Sequence, residues 1–409
     1  MLASVTEPAI DSDRLALADT FIEQRYLAPG LLPGFAWNVV HRGEIVHSAS
    51  LGYERDAIFR IYSMTKAVTS VAMLMLIEQA KVRLADPVHK FLPEWKGLRV
   101  YDGGSSLAIA TTGLRRPMII QDLFTHTAGL TYGWMYANPV DAMYRDQGIG
   151  RRDQPLDEMC SRLADIPLLF PPGTRWQYSV ATDVLGHLVE LIADMPLDHY
   201  FRDKILQPLG MHDTAFHVDD ARADRLVANH ARALTSPFNV PPDAPSSGPK
   251  DMVMVDDNSP QSDYRRPPAM LSGGGGLTST LADYSRFCQM VLNGGELDGV
   301  RVVGSRTMAF AGRNHLPGGA DLASIGSGAQ SETQNDGIGF GLGFSVVLDP
   351  AQAKVVSSPG TLAWGGAAST MYWIDPVEDL AVIGMTQLMP SWTYPLRDEL
   401  RQLVYAALL

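Results

Sequence analysis

Apolar and polar positions change rhythm along the chain. Residues 35–53, FAWNVVHRGEIVHSASLGY, cluster β-branched and aromatic residues on either side of Arg42-Gly43, which predicts two strands joined by a tight turn. Ahead of them, residues 1–21 read as a first helix that Asp11 or Ser12 caps. From Lys66 to about Lys81 the apolar positions fall at helical spacing, and the prolines of LADPVHKFLPEW (84–95) stop the pattern. Residues 119–126 predict a short helix. Residues 139–170 are mixed helix and loop, 170–179 (FPPGTRWQYS) an aromatic-rich loop, and helices follow over about 180–195 and on to Leu206.

The stretch 233–269 has little periodicity and is rich in Pro, Asp and Ser, so a long surface excursion is expected. A glycine loop then leads into a helix capped near Thr280, with Asp283 three residues on. From 339 onward the pattern turns to strands (FGLGFSVVL, TLAWGG, STMYWIDP, LAVIGMTQ), and the chain closes on an amphipathic helix, LRDELRQLVYAALL. Strands thus lie at both ends and helices fill the middle. The simplest packing is an α/β (α+β) fold: one antiparallel sheet built from the N- and C-terminal segments, flanked by the terminal helices, with a mainly helical second lobe. The expected division is 1–85 with 185–409 for the sheet domain and 86–184 for the helical one, with an active site between them.

Composition narrows the function classes. The 409 residues are 46% hydrophobic and 19% charged, an ordinary globular balance, and the net charge of −12 argues against nucleic acid or an anionic membrane as partner. Two cysteines, Cys160 and Cys288, give neither a disulfide framework nor a thiol-rich zinc site. The N-terminal residues are acidic where a signal peptide is basic, and the apolar run near 71–77 is too short to span a bilayer. A cytoplasmic protein is expected.

Two Ser-x-x-Lys sites occur. In Ser247-Gly-Pro-Lys250 the spacer forbids a helical turn, so nothing aims the ammonium at the hydroxyl. In Ser63-Met-Thr-Lys66 the spacer is helix-compatible, so both side chains share a face beside unpaired N–H groups and the positive end of the helix dipole. On spacing alone, a capping serine with a snorkelling lysine is the stronger reading. The apolar helix tips the balance towards chemistry, because a buried lysine is driven towards its neutral, basic form. No Gly-x-Ser-x-Gly elbow and no His-Glu-x-x-His is present. His126 is read as a structural turn residue, the glycines 273–276 as tight backbone packing, and Asp256-Asp257-Asn258 as solvated surface.

Ser63-Met-Thr-Lys66, LADPVHKFLPEW, DLFTHTAGL (122–130), FPPGTRWQYS and PLGMHDTAF (208–216), in this order, resemble the serine β-lactamase and penicillin-binding superfamily. Within it the match is to the class C-like branch, more closely the family VIII carboxylesterases, over about residues 35–387. The resemblance implies Ser63 as nucleophile, Lys66 and Tyr178 as the coupled base, and no cofactor or metal. It places the second motif on Tyr178-Ser179-Val180 and the third on Trp364-Gly365-Gly366. The implied oxyanion hole is the backbone N–H of Ser63 with that of Ala367, and Val180, Trp364, Gly365 and Gly366 are expected in the substrate pocket. Lactamases carry a lysine in the third motif and an asparagine in the second. Trp364 and Val180 stand there instead, so neutral esters of short to medium chain are expected as substrates before anionic β-lactams. An acyltransferase, a weak β-lactamase or D-amino-acid amidase, and an inactive sensor domain are the alternatives. Retention of Ser63, Lys66 and Tyr178 together speaks against the last.

Overall fold

The computed structural model describes residues 10–105, 108–232, 252–326 and 336–409. The second Ser-x-x-Lys, Ser247–Lys250, lies outside the described residues.

Seven antiparallel strands form the central sheet: β1 (Phe35–His41), β2 (Glu44–Leu51), β3 (Ile338–Phe340), β4 (Ser345–Val347), β5 (Leu362–Gly365), β6 (Met371–Asp375) and β7 (Leu380–Met385). Their spatial order is β3-β4-β5-β6-β7-β1-β2. The two ends of the chain meet at β1 and β7, with Val39 opposite Val382. Every residue of β1 is buried, as an interior strand covered on both faces requires, whereas edge strand β2 has no fully buried residue. The run FGLGFSVVL, expected as one strand, is the hairpin β3–β4, with Phe340 paired to Ser345.

Helices α1 (Ser12–Ile22), α2 (Thr65–Glu78), α3 (Ala181–Ala193), α4 (Leu281–Leu292) and α5 (Leu396–Tyr405) carry most of the packing. Asp11 caps α1, its carboxylate accepting from the N–H groups of Asp13 and Arg14. The terminal helices cover one sheet face: Leu15 and Ile22 of α1 join Leu400 and Val404 of α5 over Trp37, Trp373 and Val382. Burying each such aliphatic side chain stabilises the fold by about 1.5–3 kcal/mol. Helix α4, capped by Thr280 as expected, lies on the other face. A second core runs from that face through α2 and α3 into the segments 118–168. The boundary expected at 184/185 falls inside α3, which is unbroken. No helix among the described residues is long and apolar enough to cross a membrane.

Two departures concern regions without periodic patterning. On the surface, strand Arg99–Ser105 pairs with Ala108–Gly113, and these largely exposed strands leave no alternating signature. Within the expected surface excursion, Met252–Asp256 is a strand paired with Asn229–Arg232. Asp256 is accordingly not solvated surface. Its carboxylate accepts from Nε of Arg60 at 2.8 Å, and Arg60 is fully buried. The other donors of Arg60 reach Val227 O, Asp257 O and Ser262 Oγ at 2.7, 2.6 and 3.2 Å.

Candidate active site

The site is assembled by a two-stranded ladder separate from the main sheet. Residues Ile58–Arg60 pair antiparallel with Thr278–Thr280, and the Ile61 N–H continues the ladder to Leu277 O at 3.1 Å. The chain then turns sharply at Tyr62, whose φ of 41° lies in the left-handed region. For a bulky residue that conformation costs about 1–2 kcal/mol. The hydrogen bond from Asn229 Nδ2 to Tyr62 Oη, 3.0 Å, helps hold it. One 3₁₀ turn, Tyr62–Met64, carries Ser63 into α2. The other strand of the ladder places the glycine loop 273–276 beside the same turn.

Lys66, one turn into α2, is 2% exposed. Its Nζ donates to Ser63 Oγ at 3.2 Å, to Tyr132 Oη at 3.1 Å and to the carbonyl of Gly274 at 2.6 Å. The ammonium also lies 4.5 Å from the ring centre of Tyr178 and 5.6 Å from that of Tyr132. Three oxygen acceptors and two aromatic faces thus stand in for water around it. Tyr178 donates to Ser63 Oγ at 2.6 Å, so the serine oxygen receives hydrogen bonds from both groups. Tyr178 is positioned by its neighbours: the Gln177 N–H bonds His126 O at 3.0 Å, and Val180 N–H bonds Thr131 O at 3.3 Å before α3 begins.

His126 is buried, and its Nδ1 lies 3.1 Å from Ser179 Oγ. Burial first, and then the Lys66 charge, hold its pKa well below the ordinary histidine value, so it is neutral at pH 7. Both facts fit the structural reading. Asp183, on the first turn of α3, is also buried. Its carboxylate accepts from the Ser272 hydroxyl and from the Gly274 N–H at 2.9 Å. Burial raises its pKa, while the Lys66 charge and these hydrogen bonds pull it down. The Gly274 peptide therefore binds the acid through its N–H and the lysine through its carbonyl. A Cβ at Gly274 would lie 2.4 Å from Asp183 Oδ2, so this approach requires glycine.

Ser63, Tyr132, Tyr178, Val180, Asp183 and Ala367 line one cavity of about 540 Å³. Trp364, Gly365 and Gly366, expected in the pocket, do not line it. Trp364 is 2% exposed and sits beneath Tyr178, with its indole N–H 3.4 Å from the Tyr178 hydroxyl and the ring centres 5.5 Å apart. A Cβ at Gly366 would stand 2.4 Å from Ile61 O, so the glycine lets β5 approach the segment that leads into Ser63. The Gly366 N–H bonds Thr370 O at 2.8 Å and fixes the turn that presents Ala367 to the cavity.

Sequence reasoning missed Tyr132, Asp183 and the Gly274 carbonyl. A signal was available, since a buried ammonium needs acceptors and a nearby acid, and Asp183 and the glycine loop flank motifs already identified.

Comparison with known proteins adds an independent line. The family model described as Beta-lactamase matches residues 22–406. Esterase EstB of Burkholderia gladioli is 31% identical over 421 residues, covering 99% of both chains. An uncharacterized protein of Mycobacterium tuberculosis is 35% identical over 374 residues, covering 88% of this chain and 87% of its own. Among solved structures, "EstCE1, a hydrolase with promiscuous acyltransferase activity" superposes with a TM-score of 0.77 at 26% identity, covering 96% of this chain and 99% of its own.

Proposed function

Since the chain belongs to the beta-lactamase family, we propose that it works as a serine carboxylesterase with Ser63 as its nucleophile. The observation that carries this reading is the pair of hydrogen bonds on Ser63 Oγ, from Lys66 at 3.2 Å and Tyr178 at 2.6 Å, at the wall of an open cavity. Ser63 Oγ bonds to the ester carbonyl carbon while its proton passes to the member of the Lys66–Tyr178 pair that is unprotonated in the reactive state, a neutral amine or a phenolate. The tetrahedral oxyanion rests on the backbone N–H groups of Ser63 and Ala367, each such donor being worth ~10²–10³ in rate. Collapse breaks the bond to the alcohol oxygen, which takes the proton back. Water then attacks the acyl carbon through the same pair and releases the carboxylic acid and free Ser63.

Esters are favoured over β-lactams because the third motif brings no cation: Trp364 supports Tyr178 instead. The test is hydrolysis of short- and medium-chain p-nitrophenyl esters and of a chromogenic cephalosporin by wild type, Ser63→Ala and Ser247→Ala. Only Ser63→Ala should lose ester turnover, by ~10⁴-fold or more. Undiminished hydrolysis in that variant removes the assignment, and cephalosporin turnover above ester turnover removes the substrate preference.

A second reading, acyl transfer to an alcohol, draws support from the similar hydrolase EstCE1, at 26% identity, which has promiscuous acyltransferase activity. It shares the acyl-enzyme and differs only in what intercepts it. A transester product formed in the presence of added alcohol separates the two.

A further inference from the structure

The arginines that reach the catalytic cavity, Arg145, Arg151 and Arg152, come from one segment, and they are not equivalent. Arg151 is exposed and already bound to Asp153 at 2.6 Å. Arg145 is exposed, lies 4.0 Å over the Tyr136 ring and donates to Gly133 O. Arg152 is half-buried. Its guanidinium stacks 4.1 Å from the ring centre of Tyr264, and one Nη2 contact reaches Asp263 O at a long 3.4 Å.

Among the described residues no carboxylate lies within ion-pair distance of Arg152, and its Nε is buried with no hydrogen-bond partner. Arg401 likewise has a buried Nε without a hydrogen bond, but it packs over the Trp373 ring and does not line the cavity, whereas other arginines are held by carboxylates or carbonyls. Arg60 makes four side-chain hydrogen bonds, and Arg116 and Arg225 each grip an aspartate with two nitrogens. The buried Nε is closed to a ligand, so a planar anion in the cavity is met by the two terminal nitrogens, of which, among the described residues, Nη1 makes no hydrogen bond and Nη2 only the long one. Stacking on Tyr264 holds the fork flat and in place, so little is lost in ordering it.

We propose that Arg152 binds a carboxylate of the substrate, so that the enzyme prefers esters bearing a free carboxylate remote from the scissile carbonyl. This rests on the esterase reading of Ser63. It also revises the expectation of wholly neutral esters. The missing third-motif lysine concerns charge beside Trp364, whereas Arg152 enters the cavity from another segment, stacked on Tyr264.

The carboxylate can belong to the acyl or to the alcohol part, and two substrate series distinguish these. Mono-p-nitrophenyl esters of succinate through suberate carry it on the acyl side and are compared with neutral p-nitrophenyl esters of equal length. The pair 4-carboxyphenyl butyrate and phenyl butyrate carries it on the alcohol side. In at least one series the anionic substrate should exceed its neutral partner by ~10-fold or more in kcat/KM, chiefly through KM, with the gap shrinking at high salt. Within each variant, the anionic-to-neutral ratio should fall ~10-fold in Arg152→Gln and be partly kept in Arg152→Lys. A ratio near one for wild type in both series overturns the proposal, as does an unchanged ratio in Arg152→Gln. Calorimetric binding of glutarate to wild type and Arg152→Gln needs no turnover. Should no ester be hydrolysed at all, the esterase reading falls, while tighter glutarate binding by wild type still supports the subsite and equal binding removes it.

Discussion

Replacing Tyr178 with phenylalanine removes one oxygen from the site and leaves the ring. The lost atom makes the 2.6 Å bond to Ser63 Oγ and receives the long 3.4 Å approach of the Trp364 indole. The ring keeps its packing against His126, Tyr132 and Trp364, with centroids 5.0, 5.3 and 5.5 Å away. Loss of one ordinary hydrogen bond costs about 0.5–1.5 kcal/mol of stability, so the melting temperature should drop by only a few degrees. The chemical loss is larger. A positioned proton-transfer group contributes ~10²–10⁴ in rate, which at 1.36 kcal/mol per factor of ten is about 2.7–5.4 kcal/mol of barrier. Because the cavity wall keeps its shape, the loss should fall on kcat and leave KM nearly as it was. Steady-state and single-turnover hydrolysis of p-nitrophenyl butyrate, with melting curves on the same samples, measures both quantities. A folded Tyr178→Phe enzyme within roughly threefold of wild-type kcat, or one impaired only in KM, would refute the assignment of the tyrosine to the base.

Gly274→Ala forces a methyl against Asp183, which should cost about 1–3 kcal/mol of stability. Turnover should fall further than that, since the same peptide holds Lys66; melting curves and kcat measured side by side check it. Arg60→Met strands the buried acceptors around it and should destabilise by about 3–5 kcal/mol, and a double-mutant cycle with Asp256→Asn should show strong non-additivity in chemical denaturation. At Asp86, burial works to raise the carboxyl pKa, but hydrogen bonds from Lys90 and Arg83 prevail and hold it at about 2. A depressed carboxylate stabilises fully above its unfolded value and loses that contribution as pH falls through the folded one. Asp86→Asn should therefore melt below wild type at neutral pH, with the gap narrowing from about pH 4 towards 2.

What could be read beforehand divides along physical lines. The central sheet was legible because its strands are nearly all apolar, and only pairing the two ends of the chain buries them together. The Ser63, Lys66 and Tyr178 constellation was legible because its members sit in distinctive local motifs. Trp364 was placed in the pocket because a motif reports neighbours in sequence and says little about depth. In three dimensions the indole lies one layer below, where it props the tyrosine. Arg60 and Asp256 are 196 positions apart, and an ion pair across that separation leaves no periodic or local trace. The paired strands Arg99–Ser105 and Ala108–Gly113 escaped for the opposite reason, their largely exposed residues having no face to bury.

The Ser63 segment and the glycine loop, which look like unrelated features in sequence, are one device. Residues 58–60 and 278–280 form a single ladder. Ser63 follows one strand of it, and Gly274 precedes the other. Pairing the strands thus brings the Gly274 carbonyl to Lys66 without any further specification. An ammonium 98% removed from solvent is tolerable only with such acceptors, since burying it bare would cost several kcal/mol. Spacing can aim a lysine at a serine, but it cannot supply the oxygens that let the lysine stay buried. Those come from Gly274 across the ladder and from the hydroxyl of Tyr132. On the proposed role of Ser63, the Ser-x-x-Lys pair depends on that second strand, and a variant that slips the 58–60 register should lose Lys66 burial and turnover together.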